Sequence, residues 1–238
     1  MWVLELLSYW KKSAKLIFNG SFSVSEQLRI TEIFHSLQGE STRVGLPTVF
    51  IRLTGCPLRC VYCDTAYAFE GGRRVSIDEI LHQTSEYGTL YVTVTGGEPL
   101  AQPECLTLLE RLADKGFDVS IETSGAMPIE EVDQRISRIM DIKTPSSGEC
   151  HRNHYENIQY LNKNDEVKFV IETEDDYHWC KSKLIEYQLA DRVMAVLFSP
   201  VFGKMEGSWL ANQIVADKLP VRFQTQLHKS LWGEEKGK

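Results

Sequence analysis

The sequence predicts an α/β fold, a partial (β/α)6-type TIM barrel. Short runs rich in Val, Ile, Phe and Thr, typical of strands, alternate with amphipathic runs typical of helices. The alternation indicates parallel strands joined by helical crossovers, and nearly continuous apolar runs fit strands buried on both faces. About six or seven such units favour an incomplete barrel over a complete eight-fold one. An open doubly wound sheet is the alternative.

The individual elements follow from local signals. The segments that predict strands are 48–53, 91–95, 118–122, 138–142, 166–171, 193–198 and 221–225. A capping box at Ser76 and Glu79 opens a helix that runs to about Tyr87. Pro103 opens another helix, which Gly116 ends. Further helices are predicted near 128–136, 175–187 and 207–218.

Length and charge limit the classes of protein. The 238 residues carry a formal net charge of −7 and fit one domain. We predict an amphipathic or poorly ordered N-terminal extension over residues 1–27 and one domain over 28–238. A nucleic-acid partner would require a basic patch, and none is visible. No apolar run approaches the roughly 20 residues that span a bilayer, so no membrane partner is expected.

The six cysteines are unevenly placed. Cys56, Cys60 and Cys63 lie within eight residues, whereas Cys105 and Cys180 fall in helical patterns that fit small buried side chains. A disulfide framework would distribute its cysteines in pairs over a small secreted fold. The pattern therefore favours the reducing cytoplasm.

Polar or glycine-rich segments follow the predicted strands. They occur at six strand ends, at 54–65, 96–99, 123–125, 143–148, 199–203 and 226–229. The carboxyl ends of barrel strands converge on one mouth, where the chemistry of such folds is found. We therefore expect the six segments to line one pocket.

The three crowded cysteines predict an iron–sulfur cluster. Iron–sulfur clusters are normally held by four thiolates, and this loop supplies three, at spacings of +4 and +3. An iron without a protein ligand is an open coordination site for a substrate or cofactor. The alternative is a structural zinc site, which prefers four closed nitrogen or sulfur ligands. Asp64, the nearest fourth donor, is a poor ligand for such a site.

The C-x3-C-x2-C spacing, with Tyr62 before the last cysteine, resembles the signature of the radical S-adenosylmethionine (SAM) superfamily. Gly96–Gly97–Glu98–Pro99 resembles the second motif of that superfamily, which binds the amino group of SAM. The resemblance implies a [4Fe–4S] cluster, SAM as cofactor and the superfamily's partial barrel. It also implies an external electron donor such as flavodoxin or ferredoxin.

Further segments resemble the 7-carboxy-7-deazaguanine synthases of this superfamily. They are Leu37–Glu40 (LQGE), Cys63–Thr65 (CDT), Thr95–Pro99 (TGGEP), Glu122–Gly125 (ETSG), Lys143–Gly148 (KTPSSG) and Gln226–Lys229 (QLHK). The resemblance implies conversion of 6-carboxy-5,6,7,8-tetrahydropterin to 7-carboxy-7-deazaguanine in queuosine biosynthesis. In that family a 5′-deoxyadenosyl radical takes hydrogen from the pterin, the ring contracts and ammonia leaves. Mg²⁺ assists, and a homodimer is implied.

The resemblance assigns roles to particular residues. The cluster ligands are Cys56, Cys60 and Cys63, and Thr65 binds Mg²⁺ through its hydroxyl. The implied SAM contacts are Tyr62, Cys63, Asp64, Gly97, Asp141, Ile142, Lys143, Ser199, Pro200, Val201 and Phe202. The implied substrate contacts are Leu37, Gln38, Gly39, Glu40, Arg52, Thr95 and His228. Arg52 is expected to bind the substrate carboxylate, since a guanidinium matches that group in a bidentate manner.

Three departures from the family pattern and two rival functions remain. Ser41 stands where the family commonly has glycine, and residues 233–238 continue past the point where some members end. A third departure is Asp141–Ile142–Lys143, which stands where many members have Ser-Pro-Lys, so that only the lysine matches. One rival is a glycyl-radical-enzyme activase, which shares the cysteine loop but does not call for the LQGE segment. The other is a non-enzymatic iron–sulfur electron carrier, which explains the cysteines but not the five further strand ends.

Overall fold

The computed structural model describes residues 26–233, 235 and 237. The predicted N-terminal extension lies almost wholly outside the described residues, so its boundary with the domain stays a prediction. Among the described residues, no helix is long and apolar enough to cross a membrane.

Seven strands of the sheet run parallel and correspond to the seven predicted ones. They are β2 (Pro47–Leu53), β4 (Tyr91–Gly96), β5 (Asp118–Thr123), β6 (Ser137–Asp141), β7 (Glu166–Ile171), β8 (Ala195–Pro200) and β9 (Arg222–Phe223). β9 is shorter than the predicted 221–225. Two strands were not predicted, β1 (Gln27–Leu37) and β3 (Arg73–Ser76). Both are antiparallel additions at one edge of the sheet.

The sheet order is β3-β1-β2-β4-β5-β6-β7-β8-β9. From β2 to β9 each strand pairs in parallel with the next along the chain. The described strands at the two edges, β3 and β9, do not pair with each other, so the barrel stays open. The partial barrel predicted from the alternation of elements is therefore confirmed.

The helices of the described chain cover the outside of this sheet, except for the last, which lies against the cavity. They are α1 (Ile77–Glu86), α2 (Glu104–Asp114), α3 (Glu174–Glu186), α4 (Leu189–Arg192), α5 (Gly207–Ala216) and α6 (Leu227–Trp232). Half of the predicted capping box is present, because the Ser76 side chain accepts from the Glu79 backbone N–H. The Glu79 carboxylate accepts from Arg73 instead, at 3.0 Å.

The helix predicted near 128–136 is wrong. Ile129, Val132 and Ile136 are buried at helix-like spacing, but successive turns place them there. The Asp133 carboxylate accepts from the Arg135 backbone N–H at 2.9 Å, which offers the backbone an alternative to a helix. Fully buried Asn157 also accepts from Ile129 N at 3.2 Å and donates to Met127 O at 2.8 Å. Side-chain hydrogen bonds from Asp133 within the segment and from Asn157 outside it therefore decide its conformation.

The two faces of the parallel strands differ in chemistry. Side chains that point outward pack in the hydrophobic core under the helices, among them Ile51, Val94, Ile121, Met140, Val167 and Phe198. Their neighbours one position along point into the barrel and are polar: Arg52, Thr95, Glu122, Asp141, Lys168 and Ser199. The pairing register places Arg52 beside Thr95 and Asp141 beside Lys168. The fold therefore supplies a polar interior from six consecutive parallel strands.

Candidate active site

A cavity of about 370 Å³ opens inside the barrel. Apart from Ile142, every site residue predicted above lines it: Leu37, Gln38, Gly39, Glu40, Arg52, Cys56, Cys60, Tyr62, Cys63, Asp64, Thr65, Thr95, Gly97, Asp141, Lys143, Ser199, Pro200, Val201, Phe202 and His228. Ile142 is buried in the hydrophobic core instead. All six predicted strand-end segments contribute to the lining, so the expected convergence on one pocket is met.

The cysteine loop follows β2 and is half-buried. Burial raises the pKa of Cys56 and of Cys63, and raises the pKa of Cys60 to about 11. The nearby Lys143 ammonium acts in the opposite direction on all three thiols. In the described chain no three His, Cys, Asp or Glu side chains are arranged to hold a single metal ion. The loop thus presents three thiols to one cavity with a cation beside them.

Glycine is required where the loop meets β4. A Cβ at Gly97 would lie 2.3 Å from the Gly55 carbonyl oxygen and 2.7 Å from the Cys56 Cβ. The Glu98 backbone N–H also donates to Gly55 O at 2.8 Å. The GGEP segment therefore packs directly on the first half of the cysteine loop.

Glu98 has a structural partner for each oxygen. Its fully buried carboxylate accepts from Thr123 Oγ1 at 3.0 Å and from the Ser124 N–H at 2.7 Å. It also accepts from the Leu100 N–H at 3.0 Å. Thr123 and Ser124 line the cavity, but their side chains and the Glu98 carboxylate tie β4 to β5.

The cavity wall beside the cysteines, which Asp141, Lys143 and Ser199 form, has buried polar atoms without a hydrogen-bond partner among the described residues. Lys143 pairs with Asp141 Oδ2 at 2.9 Å. Burial lowers the pKa of Lys143, but Asp141 together with Cys60 and Cys56 outweighs burial and the pKa is raised. Asp141 Oδ1 and Ser199 Oγ are buried and bond to no described residue. Because buried polar atoms are nearly always hydrogen-bonded, this wall fits a polar ligand in contact with both.

The segment 38–46 between β1 and β2 closes the opposite end of the barrel. Its Thr42 N–H donates to Glu166 at the start of β7, at 3.1 Å, and Arg43 pairs with Asp118 at the start of β5, at 2.5 Å. Buried Ser41 has φ +67°, in the left-handed region that favours glycine. The departure from the family glycine therefore carries backbone strain. The segment holds Gln38 and Glu40 at the cavity floor.

Two ionisable side chains of this floor were missed from the sequence, Glu122 and Lys168. Lys168 forms an ion pair with Glu40. Burial lowers the pKa of Lys168, but Glu40, Asp141 and Glu122 together outweigh burial and the pKa is raised. Glu122 accepts from Gln38 Nε2 at 3.3 Å and from Thr95 Oγ1 at 2.9 Å. Burial, and next the repulsion from Glu40, raise the pKa of Glu122. The sequence does contain a signal that could have found them, since each is a charged residue within an otherwise apolar strand.

Arg52 is held at the side of the cavity. Its Nε donates to Glu32 Oε1 at 2.7 Å, and the Tyr67 hydroxyl donates to the same oxygen at 2.8 Å. The guanidinium lies 5.9 Å from the ring centroids of Phe34 and Tyr67. No other described residue accepts a hydrogen bond from the Arg52 guanidinium, so its two terminal nitrogens remain for a ligand.

Helix α6 closes the remaining side. Gln226, at its start, donates to Glu40 Oε1 at 2.8 Å and to Asp64 Oδ2 at 3.0 Å. Lys229 pairs with Asp64 at 3.1 Å. His228 packs so closely on Gly39 that a Cβ there would lie 2.1 Å from His228 Nδ1. Burial lowers the pKa of His228, which favours the neutral imidazole. Gln226 and Lys229 belong to the 226–229 segment that was expected to line the pocket, but the sequence assigned neither of them a role.

A three-cysteine loop at the mouth of a partial parallel barrel defines a radical SAM protein, and residues 50–141 match the model of the Radical SAM superfamily. A 7-carboxy-7-deazaguanine synthase of Chlorobaculum tepidum is 43% identical over 216 residues, covering 90% of this chain and 98% of the relative. Another, of Methanospirillum hungatei, is 39% identical over 209 residues and covers 86% of each chain. The chain belongs to the 7-carboxy-7-deazaguanine synthase family.

Solved structures share the fold. QueE from Escherichia coli superposes with a TM-score of 0.71 at 22% identity, covering 88% of this chain and all of that chain (100%). SuiB of Streptococcus suis, bound to S-adenosylmethionine, gives a TM-score of 0.52 at 15% identity and covers 72% of this chain and 45% of that chain. At these identities the likeness concerns the fold.

Proposed function

We propose that this chain is a carbon–nitrogen lyase that converts 6-carboxy-5,6,7,8-tetrahydropterin to 7-carboxy-7-deazaguanine with loss of ammonia. The product serves queuosine biosynthesis. One observation carries the proposal: the cysteine loop and the charged floor of the barrel face the same cavity. A plain electron carrier has no use for that floor.

The residues present fit a [4Fe–4S] cluster and SAM. Cys56, Cys60 and Cys63 would hold the cluster, and the unpartnered Asp141 Oδ1 and Ser199 Oγ fit the polar groups of SAM. When bound, the cluster and SAM together supply the radical that takes hydrogen from the pterin. Lys143 places a cation beside the thiols and so favours their ionised form, which cluster binding requires.

The opposite side of the cavity fits the pterin. Arg52 would bind the carboxylate with the terminal nitrogens that Glu32 leaves available. Glu122 and the Gln38 side chain would bind the polar edge of the ring, because Glu122 is a buried carboxyl with acceptor oxygens and no cation of the described residues hydrogen-bonded to it. The segment 38–46, anchored to β7 and β5, would close the pterin side from below.

Mg²⁺, the electron donor and the assembly belong to the same proposal. Thr65 lines the cavity and its hydroxyl donates to Asp64 at 3.0 Å, which leaves a lone pair for Mg²⁺. A flavodoxin or ferredoxin would approach the outer face of the cysteine loop, where Arg59 is exposed and Val61 is 70% exposed between two ligands. We further propose that the protein is a homodimer, which sedimentation would check, and that it acts in the cytoplasm.

The test is turnover by anaerobically reconstituted protein with SAM and reductant. We expect the carboxytetrahydropterin to disappear with equal formation of deazaguanine product and ammonia. Cys60→Ser should abolish turnover, while Cys150→Ser, outside the cavity lining, should not. Formation of 5′-deoxyadenosine without pterin conversion would contradict the proposal and favour the glycyl-radical-enzyme activase. Iron-free, zinc-loaded protein would favour a metal scaffold.

A further inference from the structure

The Gln226 side chain connects two parts of the cavity wall, the segment after β1 that holds Glu40 and the cysteine loop after β2 that holds Asp64. Its side-chain amide donates one hydrogen bond to Glu40 Oε1, at 2.8 Å, and another to Asp64 Oδ2, at 3.0 Å. A primary amide has two N–H donors, so both are used. Glu40 lies at the floor proposed for the pterin, and Asp64 follows the cluster ligand Cys63.

The two carboxylates are separately neutralised. Glu40 is paired with Lys168, and Asp64 is paired with Lys229 at 3.1 Å. The neutral amide therefore lies between two ion pairs and adds a charge-assisted hydrogen bond to each. Replacing it by an apolar side chain would leave two nearby carboxylates without a shared donor.

Gln226 is itself held in place. The N–H of the next residue, Leu227, donates to the Gly39 carbonyl at 3.0 Å. His228 occupies the space that a side chain at position 39 would need. The start of α6 is thus fixed against the cavity floor, which keeps the Gln226 backbone within reach of both carboxylates.

We infer that Gln226 is a positioning residue that couples the pterin side of the cavity, through Glu40, to the SAM side, through Asp64. The inference rests on the proposed function, because it assigns those two ligands to the two sides. A loss of the amide should then weaken the binding of both ligands, although Gln226 acts on each through another residue.

The experiment compares Gln226→Met with wild type and with Gln134→Met, an exposed position outside the cavity lining. Cluster-reconstituted, unreduced protein is titrated by calorimetry with SAM, and then with carboxytetrahydropterin in the presence of SAM. We expect Gln226→Met to raise both dissociation constants by roughly tenfold or more, since each lost bond is charge-assisted. Gln134→Met should leave both unchanged. Under reducing conditions, Gln226→Met should form more 5′-deoxyadenosine per molecule of product.

Gln226→Asn keeps an amide that is too short to reach both carboxylates, and serves if Gln226→Met does not fold. It should weaken at least one ligand's binding and raise the same product ratio. A Gln226→Met protein that binds either ligand as wild type does would overturn the inference. A wild-type protein that binds SAM but never converts the pterin would instead overturn the proposed function.

Discussion

At the scale of single residues, Gly97 shows how closely the GGEP segment meets the cysteine loop. A Cβ would come within 2.3 Å of a backbone oxygen, and backbone cannot rotate away as a flexible side chain can. We expect Gly97→Ala to displace the loop at a cost of about 1–3 kcal/mol and to lower the iron bound after reconstitution. Iron and sulfide analysis measures this. Gly207→Ala, where the new Cβ would meet its nearest atom at 3.4 Å, is the control and should retain full iron content.

The raised pKa of Glu122 predicts that Glu122→Gln gains stability but loses activity. A carboxyl whose pKa is higher in the folded chain than in the unfolded chain loses stability as pH rises from the ordinary value of 4.5 through the folded pKa. Each tenfold preference for the protonated form is worth about 1.4 kcal/mol. Glu122→Gln should therefore be more stable than wild type above that range and should depend less on pH. Pterin turnover should fall by roughly tenfold or more.

Urea unfolding at pH 5 and at pH 7 measures the stability effect. Glu166 also has a raised pKa, but it is present in both proteins and cancels in the difference. The exposed substitution Glu131→Gln is the control and should follow the wild-type pH dependence. An equal pH dependence of Glu122→Gln and wild type would show that Glu122 is not responsible.

At the scale of elements, one buried ion pair joins the starts of β6 and β7. Arg138 and Asp165 are 2% and 0% exposed, and the guanidinium donates to both carboxylate oxygens, at 3.0 and 2.7 Å. Asp165→Ala should reduce the free energy of unfolding by about 3–5 kcal/mol, because it leaves a buried guanidinium without its partner. Urea unfolding measures the change. Asp114→Ala, which removes an exposed partner of Arg135, should have little effect, and an equal loss in both variants would refute the argument.

Two parts of the chain show where the local sequence pattern gave a wrong prediction, the segment 128–136 and β1. The segment 128–136 has helix-like apolar spacing, but Asn157 and the Asp133 side chain supply hydrogen bonds that stabilise turns. β1 was missed because the prediction looked for strands buried on both faces, whereas β1 is an antiparallel strand with mostly half-exposed residues. The seven parallel strands were found because their apolar runs are continuous.

At the scale of the whole molecule, a ligand that binds in the cavity should stabilise the folded chain. SAM that binds only the folded, cluster-loaded chain adds about 2.7 kcal/mol at a concentration 100 times its dissociation constant. We expect chemical unfolding of the reconstituted protein to shift by this amount when SAM is added. Cys60→Ser, without the cluster, should show a much smaller shift. Equal shifts in the two proteins would mean that SAM binds without the cluster.

The sequence by itself determined the cysteine spacing, the order of strands and helices, and the strand ends at which polar segments stand. Each of these depends on residues that are close along the chain. Only the tertiary structure decided that Glu122 and Lys168 join the site and that Gln226 bonds to Glu40. Lys168 meets Glu40 across 128 positions, and Gln226 meets it across 186. Such contacts depend on how the curved sheet and α6 close around the interior, and no local pattern records that closure.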